Sequence, residues 1–309
     1  MGRGVLPPEL LPLVPLLVGL APLPVPAQVQ LHAMSLAAVE VVAALPDACP
    51  SNMVLVDGDY CPGLEYQCDR FVDETAPSCA SYAQKPECRH NEQSKRFCVD
   101  KYEWPNKVGD KPAVFVNWYE AKRLCGSVGK RLCQRSEWTL ACEGPKRAPY
   151  PYGWQRLPSP CNVGRPVEEP DADKLIDPRT RESEIARLWQ ADPIGSHPNC
   201  VSAFGAFDMV GNVDEWTDNS EESSEAVSTL NGGYWGPVRN TCRLTTKTHG
   251  PEFQFYQIGF RCCSDPLDGV PAADSPPRQS LDALDARKGP DGWPVPVSED
   301  HHPVSTPQG

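Results

Sequence analysis

Two stretches of the chain have the apolar spacing of amphipathic helices. The first follows Asn117, which stands where an N-cap residue would, with Glu120 three residues later as in a capping box. Apolar side chains then recur on one face of the expected helix: Trp118, Ala121, Leu124 and Cys125. The second stretch is RSEWTLACEG, in which Gly144 is a stop signal. Its inward face would hold Trp138, Ala141 and Cys142.

Outside these helices, apolar and aromatic positions come in short pieces separated by Gly, Pro and Asn. Examples are PAVFVNW, GGYWGP and FQFYQIGFRCC. Such pieces predict short strands joined by long loops, and the sequence has no internal repeat. The predicted fold class is α+β, with two main helices, short strands and long loops.

The N-terminus differs in composition from the rest of the chain. Arg3 precedes an apolar stretch from Leu10 to Leu23, and Val25-Pro26-Ala27 supplies small residues before a cleavage position at Gln28. Residues 1–27 are therefore expected to be a signal peptide. A membrane anchor is the alternative, but the stretch is short and proline-rich for a bilayer core of roughly 30 Å. We expect a secreted or periplasmic protein with no stable membrane anchor after cleavage.

The remaining sequence divides into three parts. Residues 28–48 are expected to be a linker or a first strand, and residues 49–265 the folded domain. The start of that domain, residues 49–98, holds six cysteines and few long apolar runs, so we expect it to be rich in loops and stapled by disulfides. Residues 266–309 are rich in Pro, Asp, Ser and Gly and are predicted to be disordered, with His301-His302 solvated.

Composition narrows the classes of function. The 309 residues are 40% hydrophobic and 23% charged, which is ordinary for a soluble globular protein. A net charge of −12 argues against nucleic-acid binding, which needs clustered Lys and Arg, although acidic side chains could bind calcium. Fourteen cysteines predict a disulfide framework in an exported chain. Metal binding is the alternative, but the chain has no C-x-x-C pair and adjacent Cys262-Cys263 suit zinc poorly.

Six motifs follow one another in a recognisable order. They are CVDKYEWPN, VFVNWYEAKRLCGSVGKRLCQRSEWTLACEG, YPYGW, FGAFDMVGNVDEWTDN, NGGYW and QIGFRCC. In this order the chain resembles the formylglycine-generating (sulfatase-modifying factor) family, over roughly residues 52 to 265. That wider family includes the lectin-like domain of ergothioneine-pathway sulfoxide synthases and a pyoverdine-maturation protein. The resemblance implies an irregular C-type-lectin-like fold.

The GNVDEW loop is a candidate calcium site. Gly211 and Asn212 allow a tight turn that points carbonyl oxygens inward, and Glu215 adds a carboxylate, so hard oxygen ligands for Ca²⁺ come together. The resemblance implies that the carbonyls of Val210, Gly211 and Val213 and the Glu215 side chain bind the ion. The alternative is a plain turn in which Glu215 accepts hydrogen bonds from backbone amides.

The resemblance implies a second calcium site that begins at Asn162 and Val163. Its acidic ligand is not identifiable, because DADKLIDPRTRESEIARLW looks like an insertion. Asp177 is a candidate for that ligand.

The family's oxidases bind Cu(I) through two cysteines that follow a Gly-Gly pair, and soft thiolates select this ion. Counting from Gly232-Gly233 places the second cysteine at Cys242 and the first at Pro237, which has no ligand atom in its side chain. Tyr234 replaces a small hydroxyl residue, while the aromatic residue that shapes the oxygen pocket is kept as Trp216. One thiolate cannot make a two-sulfur site, so the family's copper chemistry is doubtful here.

Cys242 has two interpretations. It could be a reactive catalytic thiolate, or half of a metal site completed by His249 or another cysteine. It could instead be a half-cystine in an oxidising compartment, which the sequence favours. His249 is more simply a hydrogen-bonded loop residue, and Arg261 resembles the family's structural arginine.

The resemblance also bears on the disulfides. It implies a bond between Cys125 and Cys262. The residue at the position of the family's partner for Cys142 is Lys247, so Cys142 needs another partner. Cys133, Cys242 and Cys263 are the candidates.

Three functions remain open, and whether the protein is an enzyme is left uncertain. The favoured one is a non-catalytic module that binds a peptide, a glycan or an exported protein. The second is a divergent oxidase that modifies side chains of exported proteins with Cys242. The third is a structural or accessory protein held together by disulfides and calcium.

Overall fold

The computed structural model describes residues 48–73, 76–223, 225–238 and 240–269. The expected signal peptide, the linker up to residue 47 and the tail from residue 270 lie outside these ranges. The described residues form four helices: α1 (Trp118–Ser127), α2 (Arg135–Glu143), α3 (Ala172–Ile176) and α4 (Arg181–Leu188). In these ranges no helix is long and apolar enough to cross a membrane.

Twelve short strands complete the described part of the chain. Six lie before α1: β1 (Met53–Tyr60), β2 (Leu64–Glu65), β3 (Cys68–Asp73), β4 (Ala76–Tyr82), β5 (Glu87–Cys88) and β6 (Gln93–Asp100). Six follow it: β7 (Arg131–Leu132), β8 (Asp214–Asp218), β9 (Ser228–Asn231), β10 (Thr245–Thr246), β11 (Ile258–Phe260) and β12 (Cys262–Ser264). The class is therefore mixed α+β with short elements, as predicted.

The strands form two four-stranded sheets and two two-stranded ones. The first sheet has the order β1-β6-β12-β7 and is antiparallel. The second has the order β10-β9-β8-β11, in which β8 and β11 run parallel. β2 pairs with β5, and β3 pairs with β4. Of the last two strands in the described ranges, β11 lies in the second sheet and β12 in the first. This brings the QIGFRCC motif next to β6 at the start of the domain.

The two predicted helices form where the local signals place them. Asn117 accepts a hydrogen bond from the Glu120 amide at 2.9 Å, and the Glu120 carboxylate accepts one from the Asn117 amide at 3.1 Å. α2 ends at Gly144, whose φ of 67° suits glycine. Both predictions are confirmed because they rest on interactions within a few residues.

Helices α3 and α4 occupy the segment that looks like an insertion. Leu175 and Leu188 are buried there, in a cluster with Trp235 and Tyr256. Glu184 joins the two helices, because it accepts hydrogen bonds from the Arg187 side chain and from the Asp171 amide. These bonds lower the pKa of Glu184 to about 2.

The cysteine-rich start corrects one expectation. It is stapled by the nested pairs Cys49–Cys98, Cys61–Cys88 and Cys68–Cys79. It is not mainly loop, however, because β1 and β6 pair over eight residues each and are the longest strands of the described residues. By contrast, of the three aromatic pieces noted above only the last contains strands.

All fourteen cysteines are in disulfides. The other four pairs are Cys125–Cys262, Cys133–Cys263, Cys142–Cys242 and Cys161–Cys200. The first of these is the pair that the family resemblance implies. It joins α1 to β12 across a sequence separation of 137 residues. Closing such long loops stabilises the fold by restricting the unfolded chain.

Candidate functional site

The position expected for a catalytic thiolate is closed by a disulfide. Cys242 is bonded to Cys142 of α2, with an S–S distance of 2.03 Å, and both residues are fully buried. This corrects the catalytic interpretation of Cys242, because a disulfide sulfur is not a thiolate. It also corrects the idea of a half metal site with His249, whose ring stacks on Phe253 at 4.0 Å.

The other residues at the family's copper position offer no replacement ligand. Pro237 is exposed and lacks a side-chain donor atom. Trp216 is fully buried, and its indole Nε1 donates to the Val116 carbonyl at 2.8 Å. It packs in the cluster of Leu230 and Phe260, whereas Cys242 belongs to a different core cluster. The donor set therefore does not fit Cu(I).

The two candidate calcium segments lie side by side. The Asn212 amide donates to the Asn162 carbonyl at 2.9 Å, and the two side-chain amides are hydrogen-bonded at 3.0 Å. Gly211 has a φ of 79°, and a Cβ there would meet the Asn162 carbonyl at 2.3 Å. Glycine is thus required at this turn, as the sequence predicted. Val163 is half-buried and packs against the core cluster that contains Val210.

Glu215 faces Arg261 instead of a free ion position. Its Oε2 accepts hydrogen bonds from Arg261 Nε at 2.7 Å and from Trp138 Nε1 at 2.6 Å. Its Oε1 accepts from Arg261 Nη2 at 2.6 Å. A carboxylate already paired with a guanidinium is a poor calcium ligand, so Glu215 as placed does not fit the ion. Calcium in this loop stays a prediction.

The polar groups expected at the second calcium site are also engaged. Asn162 Oδ1 accepts a hydrogen bond from Arg165 at 2.8 Å. The Asp177 carboxylate accepts from Arg179 at 2.7 to 3.2 Å, at the end of α3. Within the described ranges, no group of three or more His, Cys, Asp or Glu side chains is arranged to hold a metal ion.

Glu103 holds the GNVDEW loop and was not predicted from the sequence. Its carboxylate accepts from Asn212 Nδ2 at 2.7 Å and from the Val213 amide at 3.0 Å. Burial raises the pKa of Glu103 well above its usual value, and the charges of Asp208 and Glu215 raise it further. Burial also raises the pKa of Asp208 to about 6. These acids surround Arg261 inside the core, so they support the loop and touch no accessible space.

A cavity of about 430 Å³ opens between the insertion and residues 252–255. One wall is formed by Leu175, Ile176 and Arg181 of the insertion, and the other by Phe115 and residues 252–255. The rings of Phe255 and Tyr256 are tilted against each other at 4.8 Å, and those of Tyr256 and Trp235 at 5.9 Å. The lining of the cavity is mainly apolar.

Comparisons with known proteins agree with this architecture. Residues 65–266 match the family described as the sulfatase-modifying factor enzyme 1-like domain. The chain is 30% identical over 161 residues to the inactive C-alpha-formylglycine-generating enzyme 2 of Bos taurus, covering 50% of each. It is 26% identical over 185 residues to the formylglycine-generating enzyme of Mycobacterium tuberculosis, covering 51% of this chain and 58% of that one. The chain thus spans about half the length of the curated relatives it matches.

Among solved structures, PvdO from Pseudomonas aeruginosa aligns with a TM-score of 0.44. The sequence identity is 16%, and the alignment covers 72% of this chain and all of PvdO.

Proposed function

The chain belongs to the sulfatase-modifying factor enzyme 1-like family, and we propose that it is an extracytoplasmic binding module without copper oxidase chemistry. The observation that carries this proposal is the Cys142–Cys242 disulfide together with Pro237. A linear Cu(I) site needs two thiolates. Here one of the two positions has no sulfur, and the sulfur at the other is committed to a structural bond.

Reduction of this bond would not restore an active site. The two sulfurs lie in the core cluster with Trp138 and Met209, where neither a peptide nor a metal carrier reaches them. The name of the Bos taurus relative, an inactive formylglycine-generating enzyme, supports the same conclusion. The seven disulfides support a location outside the cytoplasm, since reducing compartments seldom keep such frameworks.

A binding function is supported by the cavity between the insertion and residues 252–255. Its volume lies within the roughly 300–1,000 Å³ of small-ligand sites, and its lining is mainly aromatic and aliphatic. Because the catalytic position is closed while this apolar site is open, recognition is the chemistry that the described surface supports best.

The test is a turnover assay on a Cys-x-Pro-x-Arg peptide with copper, a thiol reductant and oxygen. The formylglycine-generating enzyme of Mycobacterium tuberculosis is the positive control, and Cys242→Ala is the matched variant. We expect the peptide mass to stay unchanged with both the native protein and the variant. Turnover by the native protein that Cys242→Ala abolishes would contradict the proposal and support the divergent oxidase.

A further inference from the structure

We propose that the cavity between the insertion and residues 252–255 binds the C-terminal aromatic residue of a peptide. The inference rests on the proposed binding function and specifies its ligand. The ring of that residue would enter the apolar part of the cavity, and its terminal carboxylate would meet Arg181. Four features of the described residues support this assignment.

The first feature is the apolar lining. Leu175 and Ile176 of α3 line the cavity together with Phe253 and Phe255. Ile176 is 73% exposed, although it is a large aliphatic residue. An aromatic ring placed between these walls would be stacked among rings and would cover Ile176, which is the arrangement that aromatic pairs favour.

The second feature is the backbone of Phe115. Its φ is 60°, in the left-handed region that bulky residues rarely adopt. The conformation is held by a hydrogen bond from the Phe115 amide to the Phe255 carbonyl at 3.1 Å. Strained residues of this kind cluster at ligand sites, and here the strain presents a ring to the cavity.

The third feature is Arg181, a cation on the cavity wall. Its Nε donates to the Leu175 carbonyl at 2.8 Å and its Nη2 to the Ile176 carbonyl at 2.9 Å, while the guanidinium lies 4.7 Å from the centre of the Phe115 ring. The neighbouring Arg179 and Arg187 pair with carboxylates. Arg181 has no ion pair within the described ranges, although its charge helps to lower the pKa of Asp177, a carboxylate that is bonded to Arg179. The N–H groups of Arg181 that are not bonded to carbonyls can therefore bind an anion.

The fourth feature is Glu252 on the other wall. It is exposed and lies near Tyr119, whose pKa is raised by burial and by the charge of this carboxylate. A carboxylate here can also accept the amide N–H of a bound residue. A C-terminal aromatic residue carries a ring, a carboxylate and an N–H on one Cα. A single residue can therefore bind Arg181 through its carboxylate and Glu252 through its N–H. An internal aromatic residue lacks the carboxylate.

The experiment is calorimetric titration of the protein with N-acetyl-phenylalanine and with its neutral amide. A hydrogen bond to a charged group contributes more to the binding free energy than a bond between neutral groups. We therefore expect the acid to bind about tenfold more tightly than the amide. Arg181→Gln should remove that preference. Arg179→Gln is the matched control, because it makes the same charge change on an exposed residue outside the cavity, and it should keep the preference.

A second variant keeps the test valid if Arg181→Gln disturbs α3. Phe253→Ala leaves the carbonyls that hold Arg181 untouched, and it should weaken the binding of N-acetyl-phenylalanine and of its amide by the same factor. Equal affinities for acid and amide in the native protein would overturn the proposal. So would the absence of heat up to about 20 mM N-acetyl-phenylalanine, well above the millimolar constants of weak ligands.

The source of the aromatic carboxylate is resolved by two further ligands. An acetylated tetrapeptide that ends in phenylalanine should bind more tightly than phenylpropionate, which lacks the amide N–H for Glu252. Tighter binding of phenylpropionate would overturn the peptide assignment and indicate a free aromatic acid. None of these outcomes alters the turnover assay, so failure of the ligand assignment is distinct from failure of the proposed loss of copper chemistry.

Discussion

Replacing Glu215 by glutamine removes a buried charge while keeping the shape of the side chain. Glu215 and Arg261 are 1% and 0% exposed, and two hydrogen bonds of 2.6 and 2.7 Å join their charged groups. Trp138 adds a third bond to the carboxylate at 2.6 Å. In the variant the guanidinium stays buried and loses its only directly bonded carboxylate among the described residues.

The expected loss follows from the cost of an unpaired buried charge. Removing one partner of a buried ion pair destabilises a protein by roughly 3–5 kcal/mol. Arg261 would keep its bonds to the backbone carbonyls of Asp100 and Phe207. Asp208, which also interacts electrostatically with Arg261, would offset part of the cost. We therefore expect Glu215→Gln to lower the free energy of unfolding by about 3 kcal/mol.

The assay is guanidinium unfolding at pH 7.5, with calcium and with a chelator. Glu65→Gln is the control, because Glu65 and its partner Arg89 are 64% and 55% exposed and such pairs contribute about 1 kcal/mol or less. A loss below about 1 kcal/mol for Glu215→Gln would refute the ion-pair account. The calcium arm tests the loop prediction. If calcium stabilises the native protein but not Glu215→Gln, then Glu215 binds the ion.

Two further predictions concern other parts of the fold. Replacing both Cys142 and Cys242 by alanine removes a disulfide with a sequence separation of 100, which should lower the free energy of unfolding by about 4.7 kcal/mol in the chain-entropy model. The same replacement of Cys68 and Cys79, whose separation is 11, should lower it by about 2.8 kcal/mol. Equal losses in denaturant unfolding would contradict this difference. The lowered pKa of Glu184 means that its contribution to stability is present above its usual pKa and is lost as the pH falls towards 2. Glu184→Gln should thus have a lower melting temperature than the native protein at pH 7, and this difference should vanish near pH 2. A difference in melting temperature that does not change with pH would contradict the stabilising role of the ionised Glu184.

What the sequence predicted correctly depends on local interactions. The capping box of Asn117 and Glu120 lies within one helical turn, and Gly144 ends α2 through its own backbone conformation. The tight turn at Gly211 is local too. The sequence does not choose among three partners for Cys142, because a disulfide requires two Cα atoms within a few ångströms and sequence order does not show which cysteines come that close.

The remaining features depend on contacts between distant segments. Glu103 reaches the GNVDEW loop across 110 residues of sequence, so nothing near either segment indicates the contact. The packing of α3 and α4 on the domain involves Leu175 and Leu188, which share a cluster with Trp235. The start of the domain holds six cysteines and few long apolar runs, which predicts loops, whereas β1 and β6 form by pairing with each other.

The oxidation state of Cys242 tests the central claim most directly. Free thiols are blocked first in denaturant, so that buried ones also react, and the unreduced protein is then digested with trypsin. Cleavage after Arg and Lys releases peptide 136–146 with Cys142 and peptide 240–243 with Cys242. The account predicts one species with the summed mass of these two peptides joined by a disulfide. Peptide 240–243 carrying the blocking group on Cys242 would show a free thiol and contradict the account.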